Sequence, residues 1–378
     1  MSATLEHNQL TGPMPGPPPT RTPLDLHRRL PGYRPTPLID AAPLAGELGI
    51  DRVWLKDETV RLGLPSFKIM GASWAAIQAL SAHLGEDLSA LPAVEDIADR
   101  LAPYRPLTLA AATDGNHGRA LARVAALLGL TARIFVPATM APARCRAIAG
   151  EGAEVVSIEG GYDEAVARAA GAAGPRCLVI SDTSWPGYEA VPRQVIDGYS
   201  TILWEVADEL ARRGEPQPDL VLAQLGVGAF AAAVARHAKP TGARLVGVEP
   251  VTADCVRASL AAGRVVTVAT SETIMSGLHA GTASMVAWPY VAAGLDAVLT
   301  IDDAVAIDGV RRLGGLGVLA GECAGAAVGA LVHLTTDATA RAALGIDGTT
   351  QALLFLTEGP TDPGAIRRIL TAPTEHPG

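Results

Sequence analysis

The chain has 378 residues, of which 49% are hydrophobic and 18% charged, and its formal net charge is −9. Because single cores stop growing near ~250–300 residues, this length predicts two domains. The acidic balance and the lack of a basic cluster argue against nucleic acid or an anionic membrane as a partner, and no apolar run approaches the ~18 residues of a membrane span.

The four cysteines are widely scattered along the chain. Their spacing fits neither a disulfide framework nor a metal site, so we expect reduced thiols and no bound metal. The first residues lack the charged and apolar regions of a secretory signal. Together these features predict a soluble, cytoplasmic protein.

The proline-rich stretch over residues 1–28 predicts a flexible tail, or an arm that lies on a partner surface. Order is expected from about residue 33, with a short helical stretch and then a strand over 53–55.

Lys68 is one of only three lysines in the chain, whereas arginine supplies the other basic residues. A lysine amine can lose its proton and form a Schiff base with a carbonyl, which a guanidinium cannot do. The apolar neighbours Phe67, Ile69 and Met70 favour the uncharged, nucleophilic amine by desolvation. A lysine whose stem covers apolar surface while its head stays in water remains the alternative.

From about residue 107 onward, short hydrophobic runs alternate with helical patterns. Such alternation predicts parallel sheets with right-handed crossovers, here in two α/β domains with a cleft between them. Strands are expected over 107–112, 133–136, 154–158, 177–180, 220–223, 244–248, 297–301 and 352–356, and helices over 117–128, 143–148, 163–170 and 194–212.

Four turns at the ends of predicted strands carry polar or glycine residues, where ligands bind in parallel α/β sheets. Backbone N–H groups at 113, 115 and 116 and in the glycine turn after residue 224 could bind anions at helix N-termini. Tight turns, helix caps and β-forming residues are the structural alternatives. The residues are Thr113, Asp114, Gly115, Asn116 and His117 in the first turn, Asp182 in the second, Gly226, Val227, Gly228 and Ala229 in the third, and Thr357 in the fourth.

Taken together and in this order, these motifs resemble the fold-type II (tryptophan-synthase-β-like) pyridoxal-phosphate enzymes, and within them the diaminopropionate ammonia-lyases. The matching stretches are 56–58, 67–68, 112–119, 182–185 with 187–189, 226–229, 248–250, 273–275 with 277–278, and 357–359 with 361–363. Asp114 is the most discriminating residue, since threonine dehydratases usually carry serine there. Ser276, His279 and Cys323 depart from the family pattern.

The resemblance implies a two-domain α/β fold, with parallel sheets flanked by helices and pyridoxal 5'-phosphate in the interdomain cleft. The large cofactor-binding domain would comprise residues 29–73 and 187–378, and the small α/β domain residues 74–186. A homodimer is also implied.

The resemblance also assigns roles to the motif residues. Lys68 would hold the cofactor covalently and later move the α-proton, while Asn116 and Thr357 would face its phenolic oxygen and pyridine nitrogen. The 226–229 turn would cradle the phosphate, and Thr113, Gly115 and His117 would contact substrate. Asp114 and Asp182 would bind a cationic second amine, or act as bases opposite Lys68.

The implied reaction is β-elimination of ammonia from D- or L-2,3-diaminopropionate, a small amino-acid substrate, giving pyruvate and ammonia. A serine/threonine dehydratase or a β-replacement enzyme remains the alternative, and a non-catalytic amino-acid-binding regulator on the same fold is a third possibility.

Overall fold

The computed structural model describes residues 2–113 and 115–372. Nine of the eleven strands in this part of the chain overlap the hydrophobic runs predicted from the sequence, and those predicted over 154–158 and 297–301 have the predicted bounds. The strands are β1 Ala3–His7, β2 Leu38–Asp40, β3 Arg52–Asp57, β4 Thr108–Ala112, β5 Thr131–Pro137, β6 Glu154–Ile158, β7 Cys177–Val179, β8 Leu220–Gln224, β9 Arg244–Pro250, β10 Ala297–Ile301 and β11 Gln351–Leu356.

Helices cover the segments between most of these strands. They are α1 Thr22–His27, α2 Ala42–Leu48, α3 Lys68–Leu84, α4 Val94–Leu101, α5 Asn116–Leu127, α6 Pro142–Ala149, α7 Tyr162–Ala170, α8 Ala190–Arg213, α9 Ala229–Ala238, α10 Cys255–Ala262, α11 Trp288–Gly294, α12 Asp303–Gly315, α13 Glu322–Thr336, α14 Ala338–Ala343 and α15 Pro363–Thr371. In the described part of the chain, none of them is long and apolar enough to cross a membrane.

Two sheets organise the fold. The larger has the order β1-β10-β9-β8-β11-β3-β2, and the smaller β6-β5-β4-β7. All pairs are parallel except the two at the edges of the larger sheet, β1 with β10 and β2 with β3. The central strands β8 and β10 are buried along their whole length, as expected for parallel strands covered by helices on both faces.

The N-terminal segment differs from the flexible tail expected from its prolines. Residues 3–7 form β1, which pairs antiparallel with β10, and the leucines of α1, Leu24 and Leu26, are buried. Local composition did not reveal this order, because the strand is stabilised by pairing with a partner almost 300 residues away, Ala3 with Ile301.

Helix α3, which begins at Lys68, is fixed by close packing against α8. A Cβ on Gly71 would lie 2.6 Å from the ring of Tyr199, and one on Gly198 would lie 2.5 Å from the carbonyl of Met70. Only glycine permits the two helices to approach so closely, so any side chain at these positions would displace the start of α3.

A fully buried ionic network holds the segment between β3 and α3. The Arg61 guanidinium donates to Glu58 at 2.8 Å and to Glu205 of α8 at 2.7 Å, and Lys56 donates to Glu205 at 2.6 Å. Two cations and two carboxylates balance in charge, which the burial requires. The network ties the segment that leads into Lys68 to the larger sheet and to α8.

Candidate active site

A cleft lies where the carboxyl ends of strands from both sheets converge. It encloses about 1230 Å³ of empty space, part of it open to solvent, and is lined by residues that follow β3, β4, β7, β8 and β11. Strand ends of this kind are where parallel α/β sheets place ligands. Every predicted site residue that the structure describes lies on this cleft, which brings together residues 68, 113, 115–117, 182, 226–229 and 357.

Lys68 begins α3 and projects into the cleft, where its Nζ donates to Oδ2 of Asp182 at 2.9 Å. Burial raises the pKa of the Asp182 carboxyl, but the Lys68 ammonium and the nearby His117 outweigh burial and lower it to about 2. Asp182 is therefore ionised at neutral pH. The pair places an amine and a carboxylate within reach of one substrate atom.

The turn between β4 and α5 is held by the Thr113 hydroxyl, which accepts from the N–H groups of Gly115 at 3.0 Å and Gly118 at 3.2 Å. Gly115 has φ +152°, a conformation that favours glycine. The imidazole Nε2 of His117 hydrogen-bonds the Ile180 carbonyl at 2.7 Å, which links the turn to the end of β7. Asp114 lies outside the described residues.

The anion-binding N–H groups of this turn differ from those expected. Thr113 N–H donates to the Phe135 carbonyl, and Gly115 N–H donates to the Thr113 hydroxyl, so neither is available to a ligand. Within residues 2–113 and 115–372, the N–H groups of Asn116 and His117 have no acceptor. They stand at the start of α5, where an anion is favoured.

Asn116 faces a carboxylate across the cleft, because its side-chain amide donates to Oε2 of Glu358 at 2.7 Å. Glu358 follows β11 and is buried, and its Oε1 accepts the Cys323 N–H at 3.2 Å. Sequence reasoning assigned no role to Glu358. Only its position directly after the strand-end Thr357 could have indicated one.

The turn from Gly226 to Ala229 connects β8 to α9. Gly228 has φ +90° and caps the helix, and the backbone N–H groups of the four residues have no acceptor in the described part of the chain. Unpaired N–H groups at a helix N-terminus form an anion site. A Cβ on Gly226 would lie 3.1 Å from the Gly277 carbonyl, so the turn is also packed closely.

Thr357 directly follows β11 and lines the cleft. Its hydroxyl is buried and has no hydrogen-bond partner among the residues described. The neighbouring Gln224 donates to the carbonyls of Cys323 and Phe355, while its own side-chain oxygen is also left unpaired. Because buried polar atoms are seldom left unsatisfied, these two point to a polar ligand in the cleft.

A further hydrogen bond on the cleft lining joins α6 to the segment that contains Ser276. Arg144 of α6 donates to the Ser276 hydroxyl at 2.7 Å, and His279 lies nearby on the same lining. These residues come from segments to which the sequence motifs gave no catalytic role. Arg144 carried no signal in the sequence because arginine is common on the surface of this chain.

The cleft thus combines a lysine at a helix start, a turn of unpaired backbone N–H groups, and an unsatisfied hydroxyl at a strand end. These are the groups that would hold an aldehyde, a phosphate and an aromatic nitrogen, three of the functional groups of pyridoxal phosphate. The chain belongs to the pyridoxal-phosphate dependent enzymes, the family that matches residues 29–357. Pyridoxal phosphate is therefore its cofactor, and the expected family and fold class are confirmed.

Within this family the chain is 32% identical to the diaminopropionate ammonia-lyase of Salmonella typhimurium, over 90% of this chain and 89% of that protein. It is also similar to two solved structures of the Escherichia coli diaminopropionate ammonia-lyase. One is a complex with D-serine, with a TM-score of 0.91, and the other a complex with an aminoacrylate–PLP azomethine reaction intermediate, with a TM-score of 0.89. Each solved structure is 29% identical to this chain, and the similarity covers 98% of this chain and 97% of the solved chain.

Proposed function

We propose that this enzyme eliminates ammonia from 2,3-diaminopropionate, in the D form, the L form or both. The aminoacrylate so formed would hydrolyse to pyruvate and a second ammonia. The observation that carries the proposal is the similarity to diaminopropionate ammonia-lyases over nine-tenths of the chain. It is supported by the amine–carboxylate pair of Lys68 and Asp182 in the cleft.

Four groups of this chain fit the cofactor. Lys68 would bind its aldehyde carbon, the N–H groups of the turn from Gly226 through Val227 and Gly228 to Ala229 its phosphate, Asn116 its phenolic oxygen and Thr357 its pyridine nitrogen. Their unpaired or cleft-facing polar atoms support this assignment. When bound, pyridoxal phosphate supplies an electron sink for negative charge at the amino acid's α-carbon.

Thr357 favours elimination over transamination. A hydroxyl does not enforce protonation of the pyridine nitrogen as a carboxylate would, so less negative charge spreads into the ring. Negative charge that stays near the α-carbon would favour loss of the β-substituent. The buried, unpartnered Thr357 hydroxyl supports this role.

Three side chains would transfer protons: those of Lys68, Asp114 and Asp182. Lys68 would move the α-proton on its own side of the cofactor, and Asp114 and Asp182 would serve the opposite side or bind the second ammonium. The ionised state of Asp182, which its low pKa ensures, suits either role. The turn residues Thr113, Gly115 and His117 would contact the substrate.

We also propose that the protein is a cytoplasmic homodimer with the two domains expected from its sequence, residues 29–73 with 187–378, and 74–186. The separate sheets support the domain division, since β4 to β7 all fall in the second range. The free thiols of Cys255 and Cys323, which are buried, fit a reducing compartment. Light scattering on the eluted protein tests the dimer.

The product ratio tests the proposed reaction. Purified holoenzyme is incubated with D- or L-2,3-diaminopropionate, and pyruvate and ammonia are measured together. We expect two molecules of ammonia for each molecule of pyruvate. One ammonia per pyruvate from serine, or 2-oxobutyrate from threonine, with no product from diaminopropionate would instead make the enzyme a dehydratase. No product from any of the three would favour a regulator.

A further inference from the structure

Glu358 is a buried carboxylate on the cleft wall without a cationic partner. Its exposed fraction is 4%, yet its side chain lines the cleft. The donors that reach it are neutral, the Asn116 amide at 2.7 Å and the Cys323 backbone N–H at 3.2 Å. No arginine or lysine of residues 2–113 and 115–372 lies within ion-pair distance of it.

The hydrogen-bonding capacity and the negative charge of this carboxylate are only partly satisfied by the described residues. An ionised carboxylate accepts about four hydrogen bonds; here the Asn116 amide and the Cys323 N–H donate to it, and the Cys323 thiol is a further, weak donor. Burying a charge without a counter-ion costs several kcal/mol, so buried charges in proteins are nearly always paired. Among the described residues that line the cleft, the other carboxylate is that of Asp182, which contacts Lys68.

Burial shifts the two ionisable groups next to Glu358 toward their protonated forms. Glu322 at the start of α13 is also buried; burial raises the pKa of its carboxyl to about 7, and the charge of Glu358 adds to that rise. The Cys323 thiol stays protonated, because burial and the nearby Glu358 hold its pKa far above the ordinary value. Nothing described around Glu358 neutralises it, so a cationic ligand is the group that fits.

We propose that Glu358 binds the side-chain ammonium of the substrate and is the residue that selects a diamino acid over a hydroxy amino acid. This rests on the proposed function and deepens it. Glu358 lines the same cleft as Thr113, Gly115 and His117, the residues proposed to contact the substrate, and its partner Asn116 belongs to their turn.

The contact also serves the elimination step. A carboxylate beside the β-nitrogen keeps it protonated as ammonium. When a base has taken the α-proton, the electron pair of the former Cα–H bond forms the Cα=Cβ bond, and the Cβ–N bond breaks. The bonding pair stays on nitrogen, so the ammonium leaves as neutral ammonia and no other reactant is needed.

Glu358→Gln separates this role from a purely positioning one. The glutamine oxygen can still accept from Asn116, but the negative charge is gone. The holoenzyme variant is compared with wild type on diaminopropionate and on β-chloroalanine, whose leaving group has no positive charge. We expect kcat/KM for diaminopropionate to fall by roughly 100-fold or more, because a buried charge partner is removed. Elimination from β-chloroalanine should stay unchanged or rise, and the cofactor absorbance should stay unchanged.

Glu322→Gln is the matched control, since it neutralises a neighbouring buried carboxylate outside the cleft lining. It should leave the preference between the two substrates unchanged. Glu358→Asp keeps the charge on a shorter side chain and should restore part of the preference. If Glu358→Gln lowers kcat/KM equally for both substrates and alters the cofactor absorbance, Glu358 is a positioning residue for Asn116 and the proposal is overturned. The proposal is also overturned if kcat/KM falls for neither substrate.

Inhibition distinguishes failure of this proposal from failure of the proposed function. In wild type, 2,4-diaminobutyrate should inhibit turnover of β-chloroalanine more strongly than 2-aminobutyrate does, and Glu358→Gln should abolish that difference. If the wild type does not turn over diaminopropionate but retains the difference, the function is wrong and the cation site is right. If the two inhibitors are equivalent in wild type, the cation site is wrong.

Discussion

The ion pair between Lys68 and Asp182 predicts a stability loss with a definite pH dependence. In the folded protein the pKa of Asp182 is lowered from 3.8 to about 2. At about 1.4 kcal/mol per factor of ten, this corresponds to a contribution on the order of 2 kcal/mol to the folding free energy at pH 7. Asp182→Asn in the cofactor-free protein should therefore lower the free energy of unfolding by about 2 kcal/mol, since the asparagine oxygen still accepts one hydrogen bond from Lys68.

The loss should shrink in acid. Because the folded pKa is lowered, the contribution is complete above the ordinary carboxyl range near pH 4 and disappears as pH falls through about 2. About half of this contribution should remain at pH 3. Denaturant unfolding at pH 7 and pH 3 measures both values. Asp208→Asn is the control, because Asp208 pairs with Arg21 on the surface, where such pairs contribute about 0–1 kcal/mol. An equal free energy of unfolding for wild type and Asp182→Asn at pH 7, or a loss that does not change with pH, would refute the reasoning.

Three further predictions concern the chemistry. Lys68→Ala should abolish the covalent cofactor that borohydride traps, as judged by absorbance and by mass spectrometry of the labelled peptide; a label on another lysine would contradict the assignment. Thr357→Asp should lower β-elimination and raise abortive transamination, and an unchanged ratio of pyruvate to aminated cofactor would remove Thr357 from the pyridine nitrogen. Asp114→Asn should reduce kcat/KM chiefly for the D-isomer and Asp182→Asn chiefly for the L-isomer, each by about 10²–10⁴-fold; equal losses on both isomers would make the aspartates shared ammonium binders.

The sequence predicted the parallel core well because its strands are short apolar runs between helical patterns. Both β6 and β10 have their predicted bounds, and β8 extends by one residue, to Gln224. The N-terminal strand β1 was missed for a physical reason. It is an edge strand with partly exposed side chains, stabilised mainly by backbone pairing with β10, and such pairing leaves little trace in local composition.

The functional site, too, was only partly predictable from the sequence. Lys68 and the turn at Gly226 are weak signals when taken alone, and they could be recognised because they occur in one order with the other motifs of the chain. Glu358 could not, because its significance depends on Asn116, which is 242 residues away in the chain. The Thr113 and Gly115 N–H groups were wrongly expected to be available to an anion. The Thr113 N–H donates to the Phe135 carbonyl, and the Gly115 N–H donates to the Thr113 hydroxyl.

Substrate preference of the wild-type holoenzyme tests the central claim most directly. The measurement is kcat/KM for D- and L-2,3-diaminopropionate, L-serine and L-threonine under one set of conditions. The account predicts that at least one diaminopropionate isomer exceeds both hydroxy amino acids by 10-fold or more, on the order of the 1–3 kcal/mol that a pocket contact contributes to discrimination. Equal or higher kcat/KM for serine or threonine than for either diaminopropionate isomer would contradict it.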